Sequence, residues 1–143
     1  ISMMLTAQGA DHTTGNLFNI ETKDKSTEEL TVESMKVQAL CAAADSMGLC
    51  VFGRSVTNIN QELIVTALND ALGLDLDIGF YEQVGRETLE MESRFNAAAG
   101  FTEDDDELPD FFYAEALPPL DKTARHRAAE VNRVRREWLA AVG

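Results

Sequence analysis

Three apolar stripes at helical spacing each stop at a glycine, and this pattern most limits what the chain can become. In the stretch "STEELTVESMKVQALCAAADSMG", Leu30, Val37, Leu40, Cys41 and Ala44 recur near the 3.6-residue helical period. Ser26 or Thr27 can cap its start, with acids following in the first turn, and Gly48 can close it in the left-handed conformation that glycine adopts cheaply. "INQELIVTALNDALG" places Leu63, Ile64, Ala67, Leu68, Ala71 and Leu72 on one stripe and stops at Gly73. "DIGFYEQVGRETLEMESRFNAAAG" repeats the pattern with Phe80, Val84, Met91, Phe95 and Ala98, closing at Gly100. Asp121 is positioned to cap a last helix running through Trp138 and Leu139. No segment alternates as a strand would. The expectation is an all-α fold, a compact bundle of about four to six helices. Residues 1–27 are read as a loop-like segment left from a preceding domain and residues 28–143 as a C-terminal helical domain.

Charge narrows the partners. The net charge is −13, with 22 acids against 6 Lys and Arg in residues 1–120 and 3 against 6 in residues 121–143. An acidic body repels phosphate backbones, so no nucleic acid is expected as a partner. The basic tail can dock on acidic surface of the same protein or of a partner, or lie as a solvated helix face. No apolar run approaches the roughly 20 residues of a membrane span, so no membrane association is expected. Two cysteines, Cys41 and Cys50, are too few for a disulfide framework and suit a reducing, cytoplasmic compartment.

The chemistry concentrates in "DSMGLC", residues 45–50. A glycine at a helix end lets a ligand approach backbone closely, a carboxylate accepts hydrogen bonds from an NH-rich group, and a thiolate suits iron in a cluster. Taken alone, the same six residues also describe a capped helix end with an inert buried cysteine. A second feature lies downstream: "GRETLEMESRFNAAAGFTEDDDELP" carries Arg94-Phe95-Asn96, Gly100-Phe101 and an acid pair ahead of Leu108-Pro109. "GADH" stands at residues 9–12.

In this order, DxxGLC, FN…GF…DDxLP and the upstream GxxH segment, over about residues 8–120, resemble the C-terminal region of the aldehyde ferredoxin oxidoreductase family of tungsten-pterin, iron–sulfur enzymes. The resemblance implies that Cys50 is the last of four thiolate ligands to a 4Fe-4S cluster. It implies that Asp45 contacts the pterin of a tungsten (or molybdenum) bis-pyranopterin, with backbone at Gly48 and Leu49 helping. It places His12 near the metal as proton donor or hydrogen-bond partner to substrate, with Asp11 orienting the loop. The family's CxxCxxxC run and its N-terminal β-domain do not occur in this sequence. The chain therefore reads as a C-terminal fragment, inactive and free of cofactor by itself. Its parent would oxidise a small aldehyde to a carboxylic acid and pass electrons through the cluster to ferredoxin. Freed of the parent's remaining domains, it would expose apolar surface around Leu49, Val51 and Phe52 and form a homodimer. The alternative is a free-standing acidic helical interaction module without catalysis, in which Cys50 would tolerate serine.

Other chemistry-bearing residues are expected to be structural. Cys41 is read as a packing cysteine, His126 as a surface histidine and Glu103–Glu107 as a solvated loop lacking calcium-loop spacing. Phe80, Tyr81 and Phe95 are expected in the core, Phe111, Phe112 and Tyr113 as a turn packed on the helices, and Trp138 as the anchor of the last helix.

Overall fold

The computed structural model describes residues 1–141 and is all-α among them, with one isolated antiparallel bridge, Leu117 to Lys122. The helices are α1 (Ser2–Leu5), α2 (Thr27–Ser46), α3 (Arg54–Thr57), α4 (Gln61–Leu72), α5 (Gly79–Ala98), α6 (Phe111–Ala114) and α7 (Ala128–Ala140), with 3-10 turns at Val51–Gly53 and Glu103–Asp106.

Helix α2 is the axis. Ser26 and Glu29 form a reciprocal capping box at its start, each side chain accepting from the other's backbone N–H. Its length is buried on more than one side because it packs against α5 on one flank and α7 on another. Small residues make that possible: Ala39, Ala43 and Ala44 have no exposed surface. One core cluster joins Met35, Ala39 and Ala42 of α2 to Leu89, Val131 and Trp138, and a second joins Ala43 to Val65 and Tyr81. At Gly85, α5 lies directly against the α2 backbone: a Cβ there would stand 2.0 Å from the Ala39 carbonyl oxygen.

Several details depart from the pattern reading. On α5 the face turned inward is Tyr81, Gly85 and Leu89, while Met91 and Phe95 are 64% and 73% exposed. Phe95 is thus not a core residue. On α4 the buried residue is Val65, with Leu63 and Leu72 largely exposed. Both helices are short of partners on one side, so apolar residues outnumber the positions that neighbours can cover. The last helix starts at Ala128, not after Asp121, which lies in a turn at φ 49°. Its starting amide is met from outside: Glu107 Oε2 accepts from the Ala128 N–H at 3.1 Å.

The acid run is correspondingly tied down. Asp106 Oδ2 accepts from the fully buried Asn132 at 2.9 Å, Tyr113 donates its hydroxyl to Glu107, and Arg136 pairs with Glu103. The basic tail does dock on acidic surface of its own chain. His126 is half-buried rather than superficial, with Nδ1 2.9 Å from Thr27 Oγ1. Trp138 is buried at 8% exposure, with the Arg86 guanidinium 3.4 Å above its ring. Within the loop read for residues 1–27, Ser2–Leu5 makes a helical turn whose Met4 and Leu5 enter the main core.

Candidate functional site

The C-terminus of α2 places the residues of "DSMGLC". Gly48 sits at φ 70°, and two hydrogen bonds close the turn: Leu49 N–H to Ala44 O at 2.9 Å and Gly48 N–H to Asp45 O at 3.0 Å. This is the Schellman arrangement, in which a left-handed glycine lets the chain reverse and satisfy the last carbonyls. Both N–H groups are therefore engaged within the turn, so neither is free for a ligand. It does present open backbone, since a Cβ there would meet nothing within 4 Å. Cys50 follows in extended conformation at the start of the 3-10 turn, with its thiol exposed. Cys41 lies inside α2, buried, and burial pushes its thiol pKa up despite the nearby Arg54 charge, which keeps it protonated and inert.

Asp45 is held by a residue that the sequence reading passed over. Arg54 Nη2 donates to both Asp45 oxygens, at 3.1 and 3.0 Å, and Nη1 donates to the Thr13 carbonyl at 2.8 Å. The only signal for it in the sequence was its scarcity, as one of six basic residues in an acidic stretch of 120. Through Thr13 the grip reaches the loop of His12. Asp11 shapes that loop, accepting from the Thr13 N–H at 2.8 Å, from the Thr13 hydroxyl and from Gln8. Its slight burial pushes the carboxyl up, but the Thr13, Gln8 and Thr14 hydrogen bonds outweigh this and hold it at about 2. Asp11 thus orients the loop. His12 is exposed on it, its carbonyl accepting from Asn16. The fold brings Asp45 and the His12 loop together at one end of α2, with Cys50 five residues along from Asp45 on the outward turn.

Beside Asp45 runs an open cleft of about 590 Å³ between α2 and α5. Asp45, Gln38, Thr88, Glu92 and Asn96 contribute polar lining together with Thr6, Gln8 and Thr14 of the N-terminal segment, and Leu89, Met91 and Phe95 form an apolar wall. Burial raises the Glu92 pKa, and the facing Asp45 charge raises it further. The exposed Met91 and Phe95 thus line a cleft instead of a core. Carboxylate, amide and hydroxyl groups beside apolar surface suit a flat, NH-bearing heterocycle, which is the donor pattern of a pterin. No three or more His, Cys, Asp or Glu side chains converge as a metal site among the described residues.

No helix among the described residues is long and apolar enough to cross a membrane. No curated protein and no solved structure matches the chain. A family model described as aldehyde ferredoxin oxidoreductase, domains 2 and 3, matches residues 1–143. The chain belongs to the aldehyde ferredoxin oxidoreductase family and corresponds to its domains 2 and 3.

Proposed function

We propose that this chain forms one wall of the cofactor site in an oxidoreductase that converts aldehydes to carboxylic acids. When bound, a tungsten or molybdenum bis-pyranopterin would supply the redox centre, and a 4Fe-4S cluster would carry electrons on to ferredoxin. Within that wall Cys50 provides one thiolate ligand, which its exposed position at the outward turn allows. Asp45, which lines the α2–α5 cleft, would accept hydrogen bonds from a bound pterin, and the open backbone at Gly48, with Leu49 beside it, would allow close approach. His12 serves the substrate end as proton donor or hydrogen-bond partner. The observation that carries the reading is the Arg54 bridge, which puts the Asp45–Cys50 turn and the His12 loop at one end of one helix.

The chain by itself holds one cluster thiolate and should purify colourless, without iron, tungsten or molybdenum. About four irons per chain would defeat the shared-ligand reading. In a protein carrying the other three cluster cysteines, Cys50→Ala should remove or convert the cluster and Asp45→Ala should weaken pterin retention, with helicity preserved. A Cys50→Ala protein that keeps full iron and activity would refute the assignment. It would favour the interaction-module reading, for which the exposed Val51, Phe52, Val56 and Ile59 provide apolar surface.

A further inference from the structure

A guanidinium is costly to withdraw from water unless its donors are met. The Arg54 side chain is nevertheless only 14% exposed, and its Nε is buried without a hydrogen-bond partner among the described residues. What compensates is a fork. One terminal nitrogen takes the Thr13 carbonyl, and the other takes both oxygens of Asp45. Such a charged fork fixes direction as well as distance, which a single-point cation does not.

The position of Arg54 in the chain gives the fork its consequence. It starts α3, directly after the 3-10 turn Val51–Gly53 that leads away from Cys50. Three separate strands of chain therefore meet at one side chain: the His12 loop, the end of α2, and the segment leaving Cys50. Asp11 ties Gln8 and Thr13 together on either side of His12, so a hold on Thr13 constrains His12 as well. Asp45 is not consumed by the contact. A carboxylate has about four acceptor sites, and the fork uses two of them.

We infer that Arg54 is a positioning residue, setting the register between the His12 loop and the Asp45–Cys50 turn before any cofactor binds. The inference rests on the roles proposed above for Asp45 and His12, but its test does not need the cofactor. Lysine cannot replace it, because one ammonium cannot reach the Thr13 carbonyl and bracket a carboxylate in the same geometry.

The test is amide hydrogen exchange read by mass spectrometry on the 143-residue chain, comparing the parent sequence with Arg54→Ala, Arg54→Lys and Asp45→Asn. Hydrogen bonds to a charged group are strong enough that losing them should speed local opening about tenfold or more. The expected result is faster exchange at residues 10–16 in both Arg54 variants, a smaller increase in Asp45→Asn, and unchanged protection at residues 84–92 of α5. Unchanged exchange at 10–16, or full protection restored by lysine, overturns the inference. Equal acceleration in the loop and in α5 also overturns it, since that marks a general stability role. If Arg54→Ala does not fold, Arg54→Lys and Asp45→Asn carry the same comparison. Failure here leaves the Cys50 and Asp45 cofactor tests standing, and failure there leaves the fork intact, so the two readings fall separately.

Discussion

Gly85→Ala is the smallest change that should unseat the fold. A Cβ at this position would lie 2.0 Å from the Ala39 carbonyl oxygen, 2.6 Å from its carbon and 2.9 Å from its Cα. All three are backbone atoms of α2, so no side chain can swing aside. Restoring an ordinary contact of about 3.5 Å requires α5 and α2 to part by roughly 1.5 Å at Gly85. That separation loosens Tyr81 and Leu89, which flank Gly85 on the buried face and tie both core clusters to α5. Replacing a mid-helix glycine by alanine gains about 0.5–1 kcal/mol of helix propensity. Overpacking a core costs about 1–3 kcal/mol, and a rigid backbone obstacle belongs at the top of that range. The net loss should be about 2 kcal/mol, or a fall in Tm of roughly 6 °C or more for a chain of this size. Thermal melts followed by circular dichroism at a helical wavelength read it directly. Gly53→Ala is the control, since a Cβ there meets nothing within 4 Å. A Gly85→Ala protein melting at or above the parent temperature would show that the helices do not cross at Gly85, and the packing argument would fail.

His126 should make stability fall in acid. Its pKa is lowered from 6.5, first by burial and then by Arg125, whose Nε donates to the ring Nε2 at 3.1 Å. The unfolded chain then binds the proton first, so stability drops as pH falls through about 6.5 toward the folded-state pKa. Burial raises the Glu92 and Asp106 pKa values, which acts in the opposite sense, so the readout is the difference between the parent and His126→Gln in urea titrations at several pH values. Identical pH profiles for the two proteins would dismiss the effect. Ser26→Ala removes the Ser26 half of the α2 capping box and should cost about 1 kcal/mol in the same titrations, against no loss if the box is incidental. Asp106→Ala leaves the buried Asn132 amide without its acceptor and should cost about 1–3 kcal/mol, whereas Asp104→Ala on the exposed side of the same run should cost little.

What sequence alone determined is local. The cap at Ser26 or Thr27, which the structure resolves to a Ser26–Glu29 box, the glycine stops at 48, 73 and 100, and the all-α class need only neighbours along the chain, because helix caps and left-handed turns are made within a few residues. The order of motifs likewise placed Asp45, Gly48, Leu49 and Cys50 at a helix end without any coordinates. What only tertiary structure decided is which apolar face finds a partner and which remote group completes a local need. Helix α5 offers Phe95 and Met91 as readily as Tyr81 and Leu89, yet α2 can approach closely only where Gly85 has no side chain, and that rotates Phe95 out into a cleft wall. The start of α7 moved from Asp121 to Ala128 because its capping acceptor, Glu107, lies 21 residues upstream. Arg54 was invisible for the same reason: its meaning is a carbonyl 41 residues away and a carboxylate 9 away, and only folding brings the three together.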